Sequence, residues 1–557
     1  MPADAWIIDG YVDEPACLGV PPYISPYVRT IAGVLKEQKF RVHYCTIDQV
    51  RADPYLFPSI SKAGLMVMIA GVTVPGKYLG GTPATLTEIQ QVGLQIRGPE
   101  KYIGGPIGFG YSPGGGEKAI IQAITGFDHL LVGSAPEALH SHLTGGRPEG
   151  TVNYSLSDKW SIIGSDIIKN HPSFPHMMCE LETARGCSHQ ETGGCSFCTE
   201  PFYGPPVYRP ANGVIDEVGS LYTAGARHFR LGRQPDLLTY QAGGGEFPAP
   251  DPDALRTLFA GIREKAPGLM TLHIDNINPG TIARHPEESH EALSVITRYH
   301  TPGDVAAFGM ETADHEVIRI NNLKASPEEV MDAIRTVNAV GAKRSAGIPE
   351  LLPGLNFISG LPGETKETFE YNQQFLQEVL QGRCLIRRVN VRQLMPFPGT
   401  RAYEGNTLGL YDAKFRAFKE FVRAKFDSPM LERVFPIGTV FRDIIIEVQG
   451  PVSFGRQMGS YPILIGIPLS LAPGTVIDAT VVDFGMRSLT ALPVPVDINH
   501  LPVQALKWLP GVGKKKAAMV AAKRPFVSAD LFRAITGVTP LDHLVVFRKN
   551  PGSPKGP

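Results

Sequence analysis

Apolar residues recur along the chain in two patterns that predict an alternation of strands and helices. Short apolar runs predict strands at residues 6–9, 41–45, 65–70, 101–103 and 129–132. Apolar residues spaced three and four apart predict a helix at residues 27–39. Residues 1–150 are therefore predicted to form a doubly wound, Rossmann-like α/β domain, whose ligands bind at the carboxyl ends of the strands.

The same alternation continues over residues 170–430. Strands are predicted at residues 179–183, 228–231, 270–274, 305–310, 355–358 and 389–394, and helices at 214–224, 253–265 and 326–340. Ser326 is the predicted N-cap of the last helix, with Pro327 at its first position. Repeated strand–helix units predict a parallel (β/α) barrel or partial barrel with reactive groups at the carboxyl ends of its strands.

The pattern changes again after residue 430. Short strands, closely spaced and broken by Gly and Pro, predict a small antiparallel barrel of OB or TRAM type at residues 431–497. Within residues 498–550, two short helices flank Leu509-Pro-Gly-Val-Gly-Lys-Lys-Lys516, which resembles a helix-hairpin-helix. The Gly-x-Gly hairpin of that module can offer backbone N–H groups to a phosphate, and it also serves as a protein-docking unit.

Composition and charge narrow the function classes. The chain carries 53 Lys and Arg against 54 Asp and Glu, a balance that indicates neither a nucleic-acid-coating nor a membrane-bound protein. The amino terminus lacks the features of a signal peptide, and no run approaches the ~18 apolar residues of a membrane span. A cytoplasmic protein is predicted. Seven cysteines in 557 residues are too few for a disulfide framework.

Three of those cysteines provide the candidate chemistry. Cys187, Cys195 and Cys198 fall within twelve residues of a Gly-rich segment. Three thiolates from one loop can hold three irons of a [4Fe–4S] cluster and leave the fourth iron open. The alternative is a structural zinc site with Cys179 as the fourth ligand. Zinc sites usually pair two short knuckles, and this segment has only one.

The cysteine spacing resembles that of the radical S-adenosylmethionine (SAM) superfamily. The spacing here is Cys-x7-Cys-x2-Cys with Phe197 before the last cysteine, whereas the superfamily usually has Cys-x3-Cys-x2-Cys with an aromatic residue at that place. Gly193 and Gly194 can turn the longer first spacer back on itself. The resemblance implies that SAM chelates the open iron. An electron from the cluster, supplied by a low-potential donor, then cleaves SAM to a 5′-deoxyadenosyl radical.

Three later segments resemble motifs of the superfamily in the same order. They are Gly309-Met-Glu311, Gly360-Leu-Pro-Gly-Glu364 and Met395-Pro-Phe-Pro-Gly-Thr400. The resemblance implies a carboxylate at residue 311 against the ribose or amino group of SAM, and a glycine turn beside its adenine. The implied SAM-binding residues are Phe197, Gln234, Glu311, Gly360, Pro362 and Glu364.

Other polar residues of the barrel leave alternatives open, and no catalytic residue is assigned. One set follows the second barrel strand and either binds SAM or the substrate, or forms a salt bridge on the barrel rim: Arg230, Arg233, Gln234 and Asp236. A second set consists of histidines that either carry protons or are structural: His189, His228 and His273.

The Gly-rich loops of the first domain resemble the cobalamin-binding domain found before many radical SAM barrels. The resemblance rests on Gly104-Gly-Pro106 and on Asp128-His-Leu-Leu-Val-Gly133 with the helix after it. The Asp-x-His-x-x-Gly signature of histidine-ligated cobalt is absent. The implied cobalamin-binding residues are Gly71, Val72, Thr73, Val74, Pro75, Gly76, Lys77, Tyr78, Gly104, Gly105, Pro106 and Gly133. The alternative is that these are ordinary turns in a domain without the cofactor.

The resemblance implies a cobalamin-dependent radical SAM methyltransferase that methylates an unactivated sp³ carbon. The long cysteine spacing and the two C-terminal units are similar to the archaeal glutamine C-methyltransferases that modify methyl-coenzyme M reductase, which implies a glutamine α-carbon in a protein substrate. The alternatives are an RNA-modifying methyltransferase or methylthiotransferase, and a non-catalytic iron–sulfur or zinc protein. Nucleic acid is the less favoured partner, and no membrane partner is expected.

Overall fold

The structure is a computed structural model that describes residues 2–14, 17–53, 55–71, 80–111, 115–121, 124–146, 151–345, 347–539 and 544–548. Within those ranges, no helix is both long enough and apolar enough to cross a membrane.

The N-terminal part is an α/β unit, as the alternating pattern predicts. Its strands are β1 (Asp4–Asp9), β2 (Asp13–Glu14), β3 (Cys17–Leu18), β4 (Tyr23–Ile24), β5 (Arg41–Thr46), β6 (Leu65–Ile69), β7 (Glu100–Gly104) and β8 (His129–Leu131). Its helices are α1 (Pro26–Glu37), α2 (Ile47–Ala52), α3 (Leu56–Ile60), α4 (Leu86–Gln95), α5 (Ala135–Thr144) and α6 (Tyr154–Ile163). Five parallel strands form one sheet in the order β5-β1-β6-β7-β8.

The middle of the chain contributes the larger α/β unit. Its strands are β9 (Met178–Glu182), β10 (Ala184–Arg185), β11 (Val207–Tyr208), β12 (His228–Gly232), β13 (Thr271–Ile274), β14 (Asp304–Glu311), β15 (Arg344–Ser345), β16 (Ile348–Pro349), β17 (Leu351–Ser359) and β18 (Arg388–Gln393). Its helices are α7 (Ala211–Ala224), α8 (Pro252–Lys265), α9 (Pro279–Arg284), α10 (Pro286–Tyr299), α11 (His315–Asn321), α12 (Pro327–Gly341), α13 (Lys366–Gln381), α14 (Arg401–Glu404), α15 (Asp412–Phe421) and α16 (Ser428–Val434), and a π-helix (Val422–Asp427) joins the last two.

These strands form two parallel sheets that together make a partial barrel. One sheet has the order β13-β12-β9-β4 and the other β14-β17-β18. A single bridge between Asn276 and Ala307 links β13 to β14. In the described part of the chain β18 pairs only with β17, so the barrel is open along the outer edge of β18. We call this opening the seam.

The helix caps follow the sequence. The Ser326 hydroxyl accepts from the Glu329 N–H, and the Glu329 carboxylate accepts from the Ser326 N–H, which together form a capping box ahead of α12. Pro327 occupies the first helical position, where its missing N–H costs nothing.

The first two units interlock across the predicted boundary at residue 150. Strand β4, which comes from the N-terminal part, pairs with β9 of the barrel. Helix α6 packs on α1 so closely that Gly33 faces the backbone of Trp160 directly. Buried Arg29 of α1 donates to Glu217 of α7 at 2.8 Å. A short strand of two residues has no periodicity, so its membership of a distant sheet has no local signal.

The C-terminal part begins with the predicted small barrel. Strands β19 (Val440–Val448), β20 (Ser453–Gln457), β21 (Leu464–Ile467), β22 (Val476–Phe484) and β23 (Ser488–Pro493) close in the order β19-β20-β21-β23-β22. The loop after β20 inserts into the partial barrel: the Ser460 N–H donates to His273 Nδ1 at 2.8 Å, and the Tyr461 hydroxyl donates to Asp275 Oδ1 at 2.9 Å. The small barrel is thus built into the larger one.

A last helical unit completes the chain. It contains β24 (Val496–Asp497), α17 (Val503–Leu506), α18 (Gly513–Ala522), α19 (Ala529–Thr536) and β25 (Val545–Val546). Its apolar residues form their own core with Val482 and Leu492 of the small barrel. A separate, much larger core runs continuously from β1 through both barrels to Ala491.

Candidate active site

The cysteine segment is a folded loop at the carboxyl end of β9. Cys187 precedes a short 3₁₀ turn at Ser188–Thr192, and Gly193 and Gly194 then take positive φ values of 91° and 68°. These two residues reverse the chain, as predicted for the lengthened spacer. Cys187, Cys195 and Cys198 all line one cavity.

Side chains from distant parts of the chain hold this loop in place. The Arg401 guanidinium donates to the carbonyl oxygens of Gly193 and Gly194, both at 2.8 Å. The Asn322 amide donates to the carbonyl oxygens of Thr192 and Gly194, both at 3.1 Å. These bonds satisfy carbonyls that a free loop would leave to solvent, so the thiols are positioned by protein contacts alone.

The three thiols fit a cluster better than a single metal ion. Burial raises the pKa of the Cys195 thiol to about 12, with the neighbouring Cys187 adding to the shift, so iron binding there must release protons. In the described ranges, no three His, Cys, Asp or Glu side chains converge tightly enough to hold one ion. Three separated thiols on one wall are the donor set that a [4Fe–4S] cluster with one open iron requires.

The alternative with Cys179 as a zinc ligand is wrong. Cys179 lies on β9 and is fully buried in the main apolar core, whereas the other three thiols face the cavity. Burial raises the pKa of the Cys179 thiol to about 12, and its charged neighbours are Arg29 and Glu217. It therefore acts as a small core residue.

The cavity has a volume of about 910 Å³ and is shared by three parts of the chain. The N-terminal domain contributes Pro106, Phe109 and Gly115 from loops beyond the carboxyl end of β7. The partial barrel contributes the thiols and the ends of its strands, and the small C-terminal barrel contributes Tyr461 and Arg487. Loops of a doubly wound sheet thus face the cysteine loop across one chamber.

The residues implied to bind SAM divide into two groups. Phe197 and Glu311 line the cavity, so SAM contact stays a prediction for both. The other four do not line it. Gln234 is buried against Thr183 and the Leu231 carbonyl. The Glu364 carboxylate accepts from Ser359 Oγ and from the Gly360 N–H, both at 3.0 Å, and so shapes the turn that contains Gly360 and Pro362.

Glu311 combines a strained backbone with a buried carboxyl group. Its φ is 62°, in the left-handed region that favours glycine, at a bulge where β14 leaves its register with β17. Burial raises its pKa to about 8, although Arg392 and Lys324 both act to lower it. Its Oε2 is buried without a hydrogen-bond partner among the described residues. A buried, unpartnered oxygen at a strand end is suited to accept from a ligand.

The implied cobalamin-binding residues can be placed only in part. Val72, Thr73, Val74, Pro75, Gly76, Lys77 and Tyr78 lie outside the described residues. Gly71, Gly104, Gly105, Pro106 and Gly133 are described, and they lie at or just beyond the carboxyl ends of β6, β7 and β8. Pro106 lines the cavity. Gly105 has φ 103°, and a Cβ there would lie 2.6 Å from the Ala70 carbonyl oxygen, so this turn requires glycine.

Two of the polar residues in and after β12, Arg230 and Arg233, form buried ion pairs, which is the alternative weighed for this set. Arg230 donates to Glu180 Oε1 at 2.7 Å and also pairs with Asp275. Arg233 lies 3.8 Å from Glu182 and 3.7 Å from Glu200. Asp236 caps the next turn and accepts from Thr281 at 2.7 Å.

The three histidines are also held by structural contacts. His189 bonds to Glu246 at 2.6 Å and to the Asn322 carbonyl at 2.7 Å. His228 bonds to Thr271, and His273 accepts from the inserted loop after β20. Burial lowers the pKa of His228 to about 4, so it stays neutral near pH 7.

Sequence reasoning missed Lys324 and the cations near the seam. Lys324 lines the cavity beside the cysteines. Burial alone would lower its pKa, but the nearby Cys187 and Cys195 thiolates outweigh burial and raise it. A lysine between a helix and the next N-cap matches no motif, so only the fold could reveal it.

Comparison with known proteins identifies the middle of the chain. The sequence model of the Radical SAM superfamily matches residues 181–376, which include the cysteine loop and Glu311. The chain therefore contains a radical SAM domain. Cys187, Cys195 and Cys198 lie within the matched residues, and cluster binding by them stays a prediction.

Two archaeal proteins are similar in sequence to this chain over most of their length. One, from Archaeoglobus fulgidus, is 43% identical over 97% of this chain and 99% of its own. The other, from Methanocaldococcus jannaschii, is 42% identical over 87% of this chain and 92% of its own. The fold is also similar to that of the radical SAM methyltransferase TsrM from Kitasatospora setae, solved with cobalamin and a [4Fe–4S] cluster. The TM-score is 0.50 at 13% identity, covering 72% of this chain and 77% of TsrM.

Proposed function

We propose that this chain is a cobalamin-dependent radical SAM methyltransferase acting on an unactivated carbon. The supporting observation is the shared cavity. Pro106, Phe109 and Gly115 of the doubly wound domain line the same cavity of about 910 Å³ as the three cysteine thiols. Ligands of such domains bind beyond the carboxyl ends of the strands, which is the edge that faces this cavity. TsrM, which has a similar fold, holds cobalamin and a [4Fe–4S] cluster.

The proposed cofactors divide the chemistry between them: the cluster and SAM supply a radical that removes a hydrogen atom, and cobalamin supplies the methyl group. The residues of the chain position these groups. Cys187, Cys195 and Cys198 hold the cluster on one wall. Gly104 and Gly105 form a close-packed turn that leads to Pro106, which lines the same cavity, and a corrin would rest beside this turn. The substrate then lies between two reactive centres, and such proximity lowers the entropic cost of the reaction.

The polar residues near the thiols are arranged to orient SAM. Lys324 places a buried positive charge beside the thiols, where it can bind a carboxylate. Glu311 presents an unpartnered carboxyl oxygen to the same chamber and can accept from a hydroxyl or amino group. Phe197 offers an aromatic face. These three side chains match the charged and apolar parts of SAM.

Anaerobic purification with hydroxocobalamin, followed by an absorption spectrum, tests the proposal. We expect stoichiometric corrin bands in the wild-type chain. Cys195→Ala is the matched variant, because it removes one proposed cluster ligand and changes none of the residues that the N-terminal domain contributes to the cavity. It should keep the corrin bands and lose the iron–sulfur absorption. Persistent absence of corrin from the wild-type chain would refute the methyltransferase reaction as proposed.

The finer assignment is a glutamine α-carbon in methyl-coenzyme M reductase. Its support is the resemblance in cluster spacing and architecture, together with the OB- or TRAM-like and helix-hairpin-helix interpretation of the C-terminal units. Mass spectrometry of a glutamine-containing peptide incubated with the holoenzyme and SAM tests it. A gain of one methyl group on the glutamine would support the assignment, and an unmodified peptide alongside active SAM cleavage would count against it.

The charge distribution favours a second candidate, an RNA-modifying enzyme. Residues 498–557 carry ten Lys and Arg against two Asp and Glu, although the whole chain is balanced. Lys514 and Lys515 are exposed at the start of α18, after a hairpin in which Gly511 and Gly513 have positive φ. Basic groups beside free helix N–H groups are suited to phosphate.

Filter binding with structured RNA tests this candidate. The double variant Lys514→Glu, Lys515→Glu should bind at least tenfold more weakly, with a shallower salt dependence. Its control, Lys62→Glu with Lys366→Glu, makes the same charge change at two exposed lysines of other units. Equal weakening in both double variants would show only a general charge effect and would remove the support for RNA.

A further inference from the structure

Beyond the thiols, the cavity extends along the seam to a wall of positive charge. Lys419 of α15, Arg423 of the π-helix and Arg487 of the turn between β22 and β23 line this part. Arg392 of β18 also lines the cavity, and it acts to lower the pKa of Glu311. The motifs of the radical SAM domain include none of these four residues.

These cations are poorly neutralised. Arg487 Nε lies 3.0 Å from Asp427 Oδ2. In the described ranges Lys419, Arg423 and Arg392 form no ion pair, and Lys419 Nζ lies 5.2 Å from the centre of the Phe415 ring. The acidic residues of the cavity wall are Glu200 and Glu311, which lie toward the cluster. The seam end of the cavity therefore holds an excess of about three positive charges.

Crowding and burial oppose this arrangement. Burial lowers the pKa of Arg388 to about 10, and Arg392 and Arg487 act in the same direction. Burial also lowers the pKa of Lys419, with Arg423 and Arg487 adding to the effect. Arg423 and Arg487 are exposed and Lys419 and Arg392 are half-buried, so solvent screens part of the repulsion among them. An anion that contacts several of these cations would relieve the rest.

The cations are mounted on ordered elements. Arg487 donates to the Val389 carbonyl at the outer edge of β18, at 3.3 Å. The Arg388 guanidinium stacks 3.9 Å from the ring centre of Tyr461, which lies in the inserted loop of the small barrel. Arg423 lies in a π-helix, a rare segment that is frequent at functional sites. The small barrel thus completes the wall.

We propose that Lys419, Arg423, Arg487 and Arg392 form a phosphate-binding subsite, so that the substrate carries a phosphate group into the cavity through the seam. A phosphate dianion matches an excess of several positive charges, whereas one carboxylate would neutralise only part of it. An uncharged glutamine side chain would leave all of it unpaired. The inference rests on the proposed function only for the reaction that follows binding.

Calorimetric titration of the full chain with inorganic phosphate tests the subsite. We expect saturable binding to one site, weakened at least tenfold in Arg423→Glu and in Arg487→Glu. Lys425→Glu is the matched control, because Lys425 lies on the same π-helix but is exposed outside the cavity wall. It makes the same charge change and should bind phosphate like the wild type. Arg423→Gln, a milder change, should also weaken phosphate binding. It replaces Arg423→Glu in the comparison if the charge reversal disturbs folding.

Three results would overturn the inference. The first is equal weakening in Lys425→Glu and Arg423→Glu, and the second is no saturable phosphate binding by the wild-type chain. The third is succinate, a dicarboxylate of similar charge, binding as tightly as phosphate. The titration needs neither cobalamin nor SAM. A failed titration with normal corrin bands would therefore remove the subsite alone, and intact phosphate binding without corrin would remove the methyltransferase proposal alone.

Discussion

Glu311 shows how a single residue of the cavity stores unfavourable energy until a ligand binds. Its backbone occupies the left-handed region and its buried carboxyl group lacks a hydrogen-bond partner among the described residues. Both features cost stability in the free chain. A ligand that donates a hydrogen bond to this carboxyl group would offset part of that cost, so the unpaired oxygen would favour ligand binding.

The pH dependence of stability tests this view of Glu311. Its pKa is raised by burial from 4.5 to about 8, so the folded chain binds more protons than the unfolded chain between those values. Stability must therefore fall as pH rises through that window. Glu311→Gln removes this decline and should exceed the wild type by roughly 2–4 kcal/mol at pH 8.5, with little difference at pH 4.5. Urea unfolding of the iron-free chain measures it.

The matched control for that measurement is Glu404→Gln, at an exposed position. Its difference from the wild type should stay within about 0.5 kcal/mol across the same pH range. If the difference in stability between Glu311→Gln and the wild type is equally small at pH 4.5 and at pH 8.5, Glu311 is not a buried neutral carboxyl in the free chain.

The cysteines give the second prediction at this scale. Alanine at any one of Cys187, Cys195 and Cys198 should abolish 5′-deoxyadenosine formation and lower the iron content, because each thiol faces the cavity. Cys179→Ala should keep both, because that thiol packs in the core. Iron per chain after anaerobic reconstitution is the measurement. Loss of iron in Cys179→Ala, with folding intact, would mean that Cys179 is a fourth ligand of the metal site.

The residues of the site could be predicted to the extent that their signals are local. The spacing of Cys187, Cys195 and Cys198 is recognisable in the sequence. The turn at Gly193 and Gly194 is predictable because glycine tolerates positive φ. Lys324 and Arg487 carry no such signal, because residues far away in the chain bring them to the cavity. Glu364 shows the same limit. Its motif resembles a superfamily turn and implied a contact with SAM, whereas its carboxylate accepts hydrogen bonds from the turn itself.

At the scale of elements, α6 packs on α1 within the N-terminal unit and also contacts α7 of the barrel. A Cβ on Gly33 would lie 2.0 Å from the Trp160 carbonyl oxygen, so any side chain there must push the helices apart. Strands and capped helices were predictable from periodicity and caps. The contacts between helices were not predictable, because the sequence shows a glycine within a helix only as a residue of low helix propensity.

Two glycine-to-alanine substitutions with opposite expected signs test this contact. Gly33→Ala should destabilise the chain by about 2–4 kcal/mol, since the added methyl group collides with backbone that cannot move aside. Gly219→Ala, within α7, should stabilise it by about 0.5–1 kcal/mol, because its Cβ would meet only the Lys265 side chain at 3.5 Å or more. Urea midpoints measure both. A neutral Gly33→Ala would mean that α1 and α6 are not packed this closely.

At the scale of the whole molecule, the distribution of cores decides which parts depend on one another. One core runs from Ala5 through both barrels to Ala491, whereas the last helical unit has a core of its own. The small barrel also places Tyr461 and Arg487 in the cavity wall. Sequence periodicity indicated four separate domains, and it could not show that three of them share one apolar interior.

Two shortened chains test this organisation. A chain that ends at Asp497 should fold, bind iron and form 5′-deoxyadenosine, because it keeps the shared core and the cavity wall. A chain that ends at Val434 should aggregate, because it lacks Ile444, Ile465 and Ala491 of that core. Soluble yield, iron content and 5′-deoxyadenosine are the measurements.

The chain that ends at Asp497 also separates the two proposed phosphate-binding regions. It loses ten of the 53 basic residues but keeps the four seam cations. It should therefore bind structured RNA at least tenfold more weakly while its affinity for inorganic phosphate stays within about twofold of the full chain. If both affinities fall together, the seam does not form a site of its own. If neither falls, the basic C-terminal unit takes no part in RNA binding and docks another surface.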